Sequence, residues 1–323
     1  MSHSGPLVTL TMNPTIDVST SVARVVPIRK LRCKPAKHDP GGGGINVARV
    51  LKRFGAEPLA IYVAGGPTGE RLDELVAREG IHGRTVKMSG HTREDMTVRD
   101  ESTGEQYRFV LPGPPLGEVT WSACLDAVAS LETPPSYFVA SGSLPANVPD
   151  DFYARLARQA KRRGARVVLD TSGGALRSAL AEGVAVVKPN LGELRALVGQ
   201  PLESETEWVK ACEAIVADGG AEIVALTLAE RGALIVTRDH AWRLDAPRVN
   251  AASTVGAGDS FVGALVWSLA SGHDLALTAR YAVAAGSAAL LKPGTELCSR
   301  DDVERLLPAV EAIDLAHAGR ARI

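Results

Sequence analysis

Cysteine is scarce in this chain, and its four residues are scattered. Cys33, Cys124, Cys212 and Cys298 contain no CxxC pair, which argues against a zinc site and against a dense disulfide framework. That usage fits a reducing cytosol. Net charge is lacking too: Lys+Arg 36 against Asp+Glu 37 leaves a formal charge of -1, so nothing suggests a general affinity for nucleic acid or an anionic membrane. An anionic ligand must be held locally. No apolar run approaches the roughly 20 residues a membrane helix needs. The opening stretch MSHSGPLVTLTMNP also lacks the basic start and long apolar segment of a targeting peptide. We expect a cytoplasmic protein that engages neither nucleic acid nor membrane.

Three common motifs are missing as well. A P-loop requires GxxxxGK[ST], and no Gly-Lys pair occurs, so Walker-type binding is excluded. The glycine run GGGGIN puts Asn46 where the dinucleotide fingerprint wants its third glycine, with no strand directly before it, which disfavours a nicotinamide dehydrogenase. The GxSxG elbow of serine hydrolases is absent, although GDSFVG comes near it. No internal repeat or low-complexity tract is present.

What is present is a large apolar fraction, 45% of 323 residues, arranged in short β-rich runs between helical patterns. PLVTLTMN, PLAIYVAGG, SYFVASGS, ARVVLDTS, VAVVKPN and EIVALTLA are near-continuous apolar runs ending in small or polar residues, as buried parallel strands are. In GINVARVLKRFG, Ile45, Ala48 and Leu51 share one helical face and Arg49, Lys52 and Arg53 another. The alternation predicts an α/β fold, a doubly wound, mostly parallel sheet with helices on both faces and ligands at the carboxyl ends of the strands. Two segments break the rhythm with alternating polar and apolar residues, at about 17–38 and 84–112. We read them as antiparallel strands of a small β-sheet lid on one domain spanning 1–323.

Near the C-terminal end stands STVGAGDSFVGALV, a glycine turn feeding a helix. Gly256, Ala257 and Gly258 can bring backbone N–H groups to an anion, and the helix start favours negative charge there. Asp259 would repel a phosphate, but as a proton acceptor beside such a cradle it makes sense. A helix N-cap is the competing reading of Asp259.

These residues resemble a known family. GAGDSFVGAL is similar to the C-terminal signature of the ribokinase-like sugar kinases, the phosphofructokinase B family, and GGGGINVARVLKRFG followed by AGGPTGERL is similar to its N-terminal signature. The resemblance runs from LTMNPTID to CSRDDVERL. It implies a ribokinase-like fold and favours Asp259 as catalytic base over cap. PGGGGINVAR, GEQYRFVLPG, SGSLP and TELCS look most like the minor type of 6-phosphofructokinase. Fructose-1-phosphate and tagatose-6-phosphate kinases usually carry a lysine in the glycine run where this chain has Gly43.

The resemblance implies ATP, Mg²⁺ and a sugar phosphate, foremost fructose 6-phosphate, as ligands. Asp17 in NPTID would accept hydrogen bonds from sugar hydroxyls, Gly42 and Gly43 would let the sugar approach the backbone, and Asn46 and Ser143 would contact it. Arg93 would hold the phosphate. Lys30 and Arg32, on the other flap strand, would reach a partner's site or lie on a solvated face. For the nucleotide, Lys188, Asn190, Thr227, Gly232 and the Gly256–Gly258 turn are implied, with Glu193 of the NxxE motif holding Mg²⁺ through water. Asn190 and Glu193 also fit a helix capping box. Ala229 replaces a glycine usual in the family. Ser253, Val255, Ala289 and Gly294 mark the loop that binds K⁺ in relatives, and Lys292 within it could substitute for the ion or point outward. The expected protein is an ATP-dependent sugar-phosphate kinase, homodimeric through its lid strands. The alternatives are fructose-1-phosphate or tagatose-6-phosphate kinase, and a non-catalytic sugar-phosphate-binding regulator.

Overall fold

The apolar runs form strands because each is covered on both faces. In the computed structural model, which describes residues 5–315, the strands are β1 (Leu7–Thr11), β2 (Thr15–Val22), β3 (Lys37–Gly41), β4 (Leu59–Ala64), β5 (His82–Lys87), β6 (Arg93–Asp100), β7 (Gln106–Phe109), β8 (Tyr137–Ser141), β9 (Arg166–Asp170), β10 (Val184–Val187), β11 (Ala221–Thr227), β12 (Ala233–Val236), β13 (Ala241–Leu244) and β14 (Ala312–Asp314). Phe138 and Ala140 of β8, with Val167 and Leu169 of β9, pack into one core. Tyr137, Val139 and Val168 pack into another on the opposite face. Alternation is therefore hidden in the sequence, because neither face meets water.

Ten strands make one sheet in the order β14-β13-β12-β11-β10-β9-β8-β1-β4-β5. It is parallel from β5 to β11 and antiparallel from β11 to β14. Strand β1 pairs with β4 on one side and β8 on the other. The winding reverses there, and a crevice opens at the carboxyl ends of β1 and β8. Helices Gly43–Arg53 and Ala257–Ala270 cover the same face and cross closely. A Cβ on Gly263 would lie 2.6 Å from Val50 Cβ, so the glycine is required for this approach.

A second, four-stranded sheet has the order β3-β2-β6-β7. It corrects three sequence expectations. Residues 84–87 belong to β5 at the edge of the large sheet, where the strand pairs in parallel with β4 and none of its residues is fully buried. The central pair β2–β6 is parallel, with Asp17 opposite Asp95, and the two flanking pairs are antiparallel. Lys30 and Arg32 lie exposed in the connection between β2 and β3, where Pro27 and Pro35 lack the N–H a ladder needs. Met96, Phe109, Val110 and Leu111 leave an apolar group exposed on or beside this sheet. One helical residue is also reassigned: Arg49, placed on a polar face by periodicity, is 1% exposed.

Candidate active site

A cleft of about 270 Å³ opens where the two sheets meet. The small sheet contributes Thr15, Asp17, Arg93, Asp95 and Arg108; the glycine run contributes Gly42, Gly43 and Asn46. The ends of β8 and β9 supply Ser141–Ser143 and Asp170–Ser172. Glu193, Val255, Gly256 and Asp259 complete the wall.

The glycine run is dictated by packing as much as by access to ligand. A Cβ on Gly43 would fall 2.3 Å from Ser141 Oγ, one on Gly44 2.4 Å from Leu10 O, and one on Gly41 2.4 Å from an Asp17 carboxylate oxygen. The helix start is thus pressed against β1 and β8, which presents Asn46 to the cleft. A lysine at 43 could not enter this arrangement without a backbone shift.

At the second glycine turn, Gly256 adopts φ 74 and is itself the residue preceding the helix. Asp259 lies in the helix's first turn and makes no capping hydrogen bond. The N-cap reading of Asp259 is therefore set aside: its Oδ2 accepts from Asn46 Nδ2 at 2.9 Å. Burial pushes the Asp259 carboxyl up to about 6, with Asp170 adding repulsion and Asn46, Lys188 and Arg108 opposing. A carboxylate in that range is poised for proton transfer near neutrality.

On the small sheet, Asp17 is 3% exposed and its Oδ1 has no hydrogen-bond partner among the described residues. Burial raises its carboxyl to about 7, against the pull of Arg108, Arg49 and Arg93 and with a push from Asp95. An unpartnered buried acceptor facing a cleft is expensive unless a ligand donates to it. Arg93 is held by both Asp95 oxygens at 2.9 Å and by the Leu111 and Asn13 carbonyls, and Arg108 stands 4.0 Å from Asp95. Two guanidinium groups thus flank the cleft where an anion could bind. Ser143 Oγ accepts from Asn13 Nδ2 at 3.0 Å, leaving its hydroxyl hydrogen available.

On the opposite side, burial would lower Lys188, but Asp170 at 3.0 Å, joined by Glu193 and Asp259, raises it on balance and holds the ammonium charged. Lys188 Nζ also lies 3.7 Å from where a Cβ on Gly258 would stand, beside the anion cradle. Asn190 and Glu193 form a reciprocal capping box, Glu193 N to Asn190 Oδ1 at 2.9 Å and Asn190 N to Glu193 Oε2 at 2.8 Å. Glu193 still lines the cleft, so the cap and a ligand role coexist; burial raises its carboxyl. Thr227 bridges to Asn190 at the neighbouring strand end. Ala229 sits at φ 54, the left-handed region that explains the glycine usual there.

Other expectations fare differently. Gly232 is buried, a Cβ there would meet Leu244 O at 2.0 Å, and it does not line the cleft. Ser253 Oγ donates to Gly294 O at 2.7 Å, and Ala252 N donates to Leu290 O, so the two halves of the cation loop do meet near Ala289. Lys292 pairs with Asp302 at 2.5 Å. Lys30 and Arg32 lie outside this cleft. Sequence reasoning missed Asp95, Arg108, Ser141, Asp170 and Thr171. Asp170 carried a signal of its own, a carboxylate at the end of an apolar run, and Ser141 and Arg108 lay within the family-like stretches SGSLP and GEQYRFVLPG without being singled out; Asp95 looked like an ordinary polar position of an exposed strand.

Residues 7–302 match the pfkB family of carbohydrate kinases. The ATP-dependent 6-phosphofructokinase isozyme 2 of Mycobacterium tuberculosis is 43% identical over 299 residues, covering 93% of this chain and 88% of the relative. Its Escherichia coli namesake is 42% identical over 299 residues, covering 92% and 96%. The E. coli phosphofructokinase-2 structure in complex with substrates and products matches with TM-score 0.90 at 42% identity, over 94% of this chain and 99% of that one. That protein has also been solved with potassium, with fructose-6-phosphate and in a tetrameric inhibited form. Arabidopsis thaliana ribokinase, at 20% identity and TM-score 0.72, shares the fold. The fold is ribokinase-like, and the chain belongs to the pfkB family of carbohydrate kinases.

Proposed function

We propose that this chain is an ATP-dependent 6-phosphofructokinase, transferring the γ-phosphoryl group of ATP to the C1 hydroxyl of fructose 6-phosphate. The carrying observation is the meeting, in one cleft, of a raised-pKa carboxylate, Asp259, with the Gly256 turn at a helix start. Asp259 takes the hydroxyl proton while backbone N–H groups of residues 256–259 stabilise charge on the transferring group. Asp17 and Asn46 orient the sugar, Ser143 donates to it, and Arg93 and Arg108 hold its phosphate. Lys188, Asn190 and Thr227 line the nucleotide's path.

The cleft carries five carboxylates, Asp17, Asp95, Asp170, Glu193 and Asp259, against two arginines. Two anionic substrates would add to that excess, so a cation is required. No cluster of three metal-ligating side chains occurs among the described residues. That fits a hydrated Mg²⁺ held by Glu193 through water and by substrate phosphates, which neutralises phosphate charge. K⁺ suits the carbonyls of the Ser253–Val255 and Ala289–Gly294 segments. We further read the chain as one cytoplasmic domain with the small sheet as its lid, homodimeric through the lid's exposed apolar face. Lys30 and Arg32 would then be available to the partner's site.

The test is ATP consumption on a panel of fructose 6-phosphate, fructose 1-phosphate and tagatose 6-phosphate, with and without Mg²⁺. The highest kcat/KM is expected on fructose 6-phosphate. A preference for another sugar refutes the substrate assignment, and no turnover on any of them leaves a binding protein.

A further inference from the structure

Arg49 is a charge buried at 1% exposure, one helical turn after Asn46 and on the same face, where burial of an unpaired guanidinium would be prohibitive. Its fork is spread over four acceptors. One terminal nitrogen donates to Pro40 O at 3.1 Å and Asn46 Oδ1 at 3.2 Å; the other reaches Glu79 Oε1 at 3.0 Å and Asp39 Oδ1 at 3.5 Å. Asp39 in turn accepts from Thr295 Oγ1 at 3.0 Å and pairs with Lys37 at 3.3 Å. None of these contacts was assigned a part in phosphoryl transfer.

A guanidinium has donors and no acceptor. Facing Asn46, it can engage the amide oxygen and never the amide nitrogen, so it decides which end of that amide points away. The end that points away is Nδ2, which donates to Asp259 Oδ2 at 2.9 Å. We infer that Arg49 is a positioning residue for the transfer reaction: by locking the Asn46 amide it keeps Asp259 supplied with a donor and therefore in its proton-accepting form. Without Arg49 the amide can turn over and present an oxygen to the carboxylate, a contact that favours the protonated acid. Asp170, Lys188 and Arg108 also face Asp259, from the ends of β9 and β10 and from β7. They are unaltered in every variant below; Arg49 also pulls down the Asp17 carboxyl, so the limb of Arg49→Lys, which keeps the positive charge, is the one that reports the Asn46 contact.

The inference rests on Asp259 as the base, and the experiment separates the two. The variants are Arg49→Lys, Glu79→Gln, the double change Arg49→Met with Glu79→Gln, and Asp259→Asn. Lysine keeps a charge for Asp39 and Glu79 but is a point donor that cannot span the four acceptors. The double variant removes both charges of the tightest pair, leaving Asp39 to Lys37 and Thr295, so it stays foldable where a lone Arg49→Met change would strand Glu79. Each variant is taken through thermal unfolding and through kcat against pH from 5 to 9.

Both Arg49 variants are expected to move the acid limb of kcat up by about one pH unit and to lower its plateau by roughly tenfold. Glu79→Gln, which weakens the buried network without touching Asn46, is expected to lower the melting temperature with the limb in place. Either folded Arg49 variant keeping the wild-type limb and plateau, with Asp259→Asn inactive, overturns the inference and leaves Arg49 a structural ion pair. Near-wild-type turnover by Asp259→Asn overturns the base reading itself, and this inference with it.

Discussion

Replacing Asp259 by asparagine removes a proton acceptor while conserving shape, and the structure makes that change unusually informative. The amide oxygen can still accept from Asn46 Nδ2, and no capping bond is at stake, since Asp259 makes none. General-base catalysis contributes about 10²–10⁴-fold, so kcat is expected to fall by at least that range while ATP affinity persists. Stability should move the other way. Burial raises the folded-state carboxyl to about 6 from 3.8, so the native protein binds this proton more tightly than the unfolded chain does. That contribution is intact below pH about 4, is lost as pH rises towards about 6, and stays lost above it. A shift of about two units corresponds to roughly 3 kcal/mol as an upper bound, and the asparagine variant recovers up to that amount at pH 8. Thermal unfolding of wild type and variant at pH 8 and pH 4, with single-turnover phosphoryl transfer at pH 8, reads both effects. Turnover within a few-fold of wild type would refute the base. An equal stability change at both pH values would refute the raised pKa itself.

Three further outcomes follow from the same geometry. Arg93→Ala should chiefly raise KM for fructose 6-phosphate in initial-rate measurements, because a phosphate contact is made equally in ground and transition states; an unchanged KM removes Arg93 from the site. Phe109→Glu places a charge in the exposed apolar group of the small sheet, and sedimentation should show the protomers dissociated, whereas a wild-type profile would put the interface elsewhere. Because Lys292 is tied to Asp302, Lys292→Ala should leave any K⁺ activation constant of the wild type unaltered, with loss of stability as its main effect; a variant that newly requires K⁺ would return the ammonium to the cation site.

Which features were legible in the sequence follows from what holds each in place. The parallel core was legible because strands buried on both faces must be apolar throughout, and PLVTLTMN, SYFVASGS and ARVVLDTS became β1, β8 and β9. The two glycine turns were legible because each demands glycine, by close approach to the Ser141–Gly142 backbone at 43 and by a left-handed φ of 74 at 256. The lid was only partly legible. Alternation reports one wet face and says nothing of which sheet a strand joins, so residues 84–87 were misplaced, and the parallel β2–β6 pairing depends on segments more than 70 residues apart.

Arg49 shows the limit in its sharpest form. By periodicity it belongs with Lys52 and Arg53 on a solvated face, and nothing local distinguishes it from them. Its burial is decided by three acceptors distant in sequence or in another element, the Pro40 carbonyl, Asp39 and Glu79, none of which the helical pattern can see. The same holds for Asp95 and Arg108, which face the cleft because β6 runs beside β2 and β7 beside β6. A signature thus marks residues whose backbone geometry tolerates one amino acid, whereas the charges that tune those residues are assembled by tertiary pairing. Asp259 belongs to both classes: its place after the glycines is written locally, and its raised pKa comes from burial and Asp170, held in check by the oriented Asn46 amide, Lys188 and Arg108.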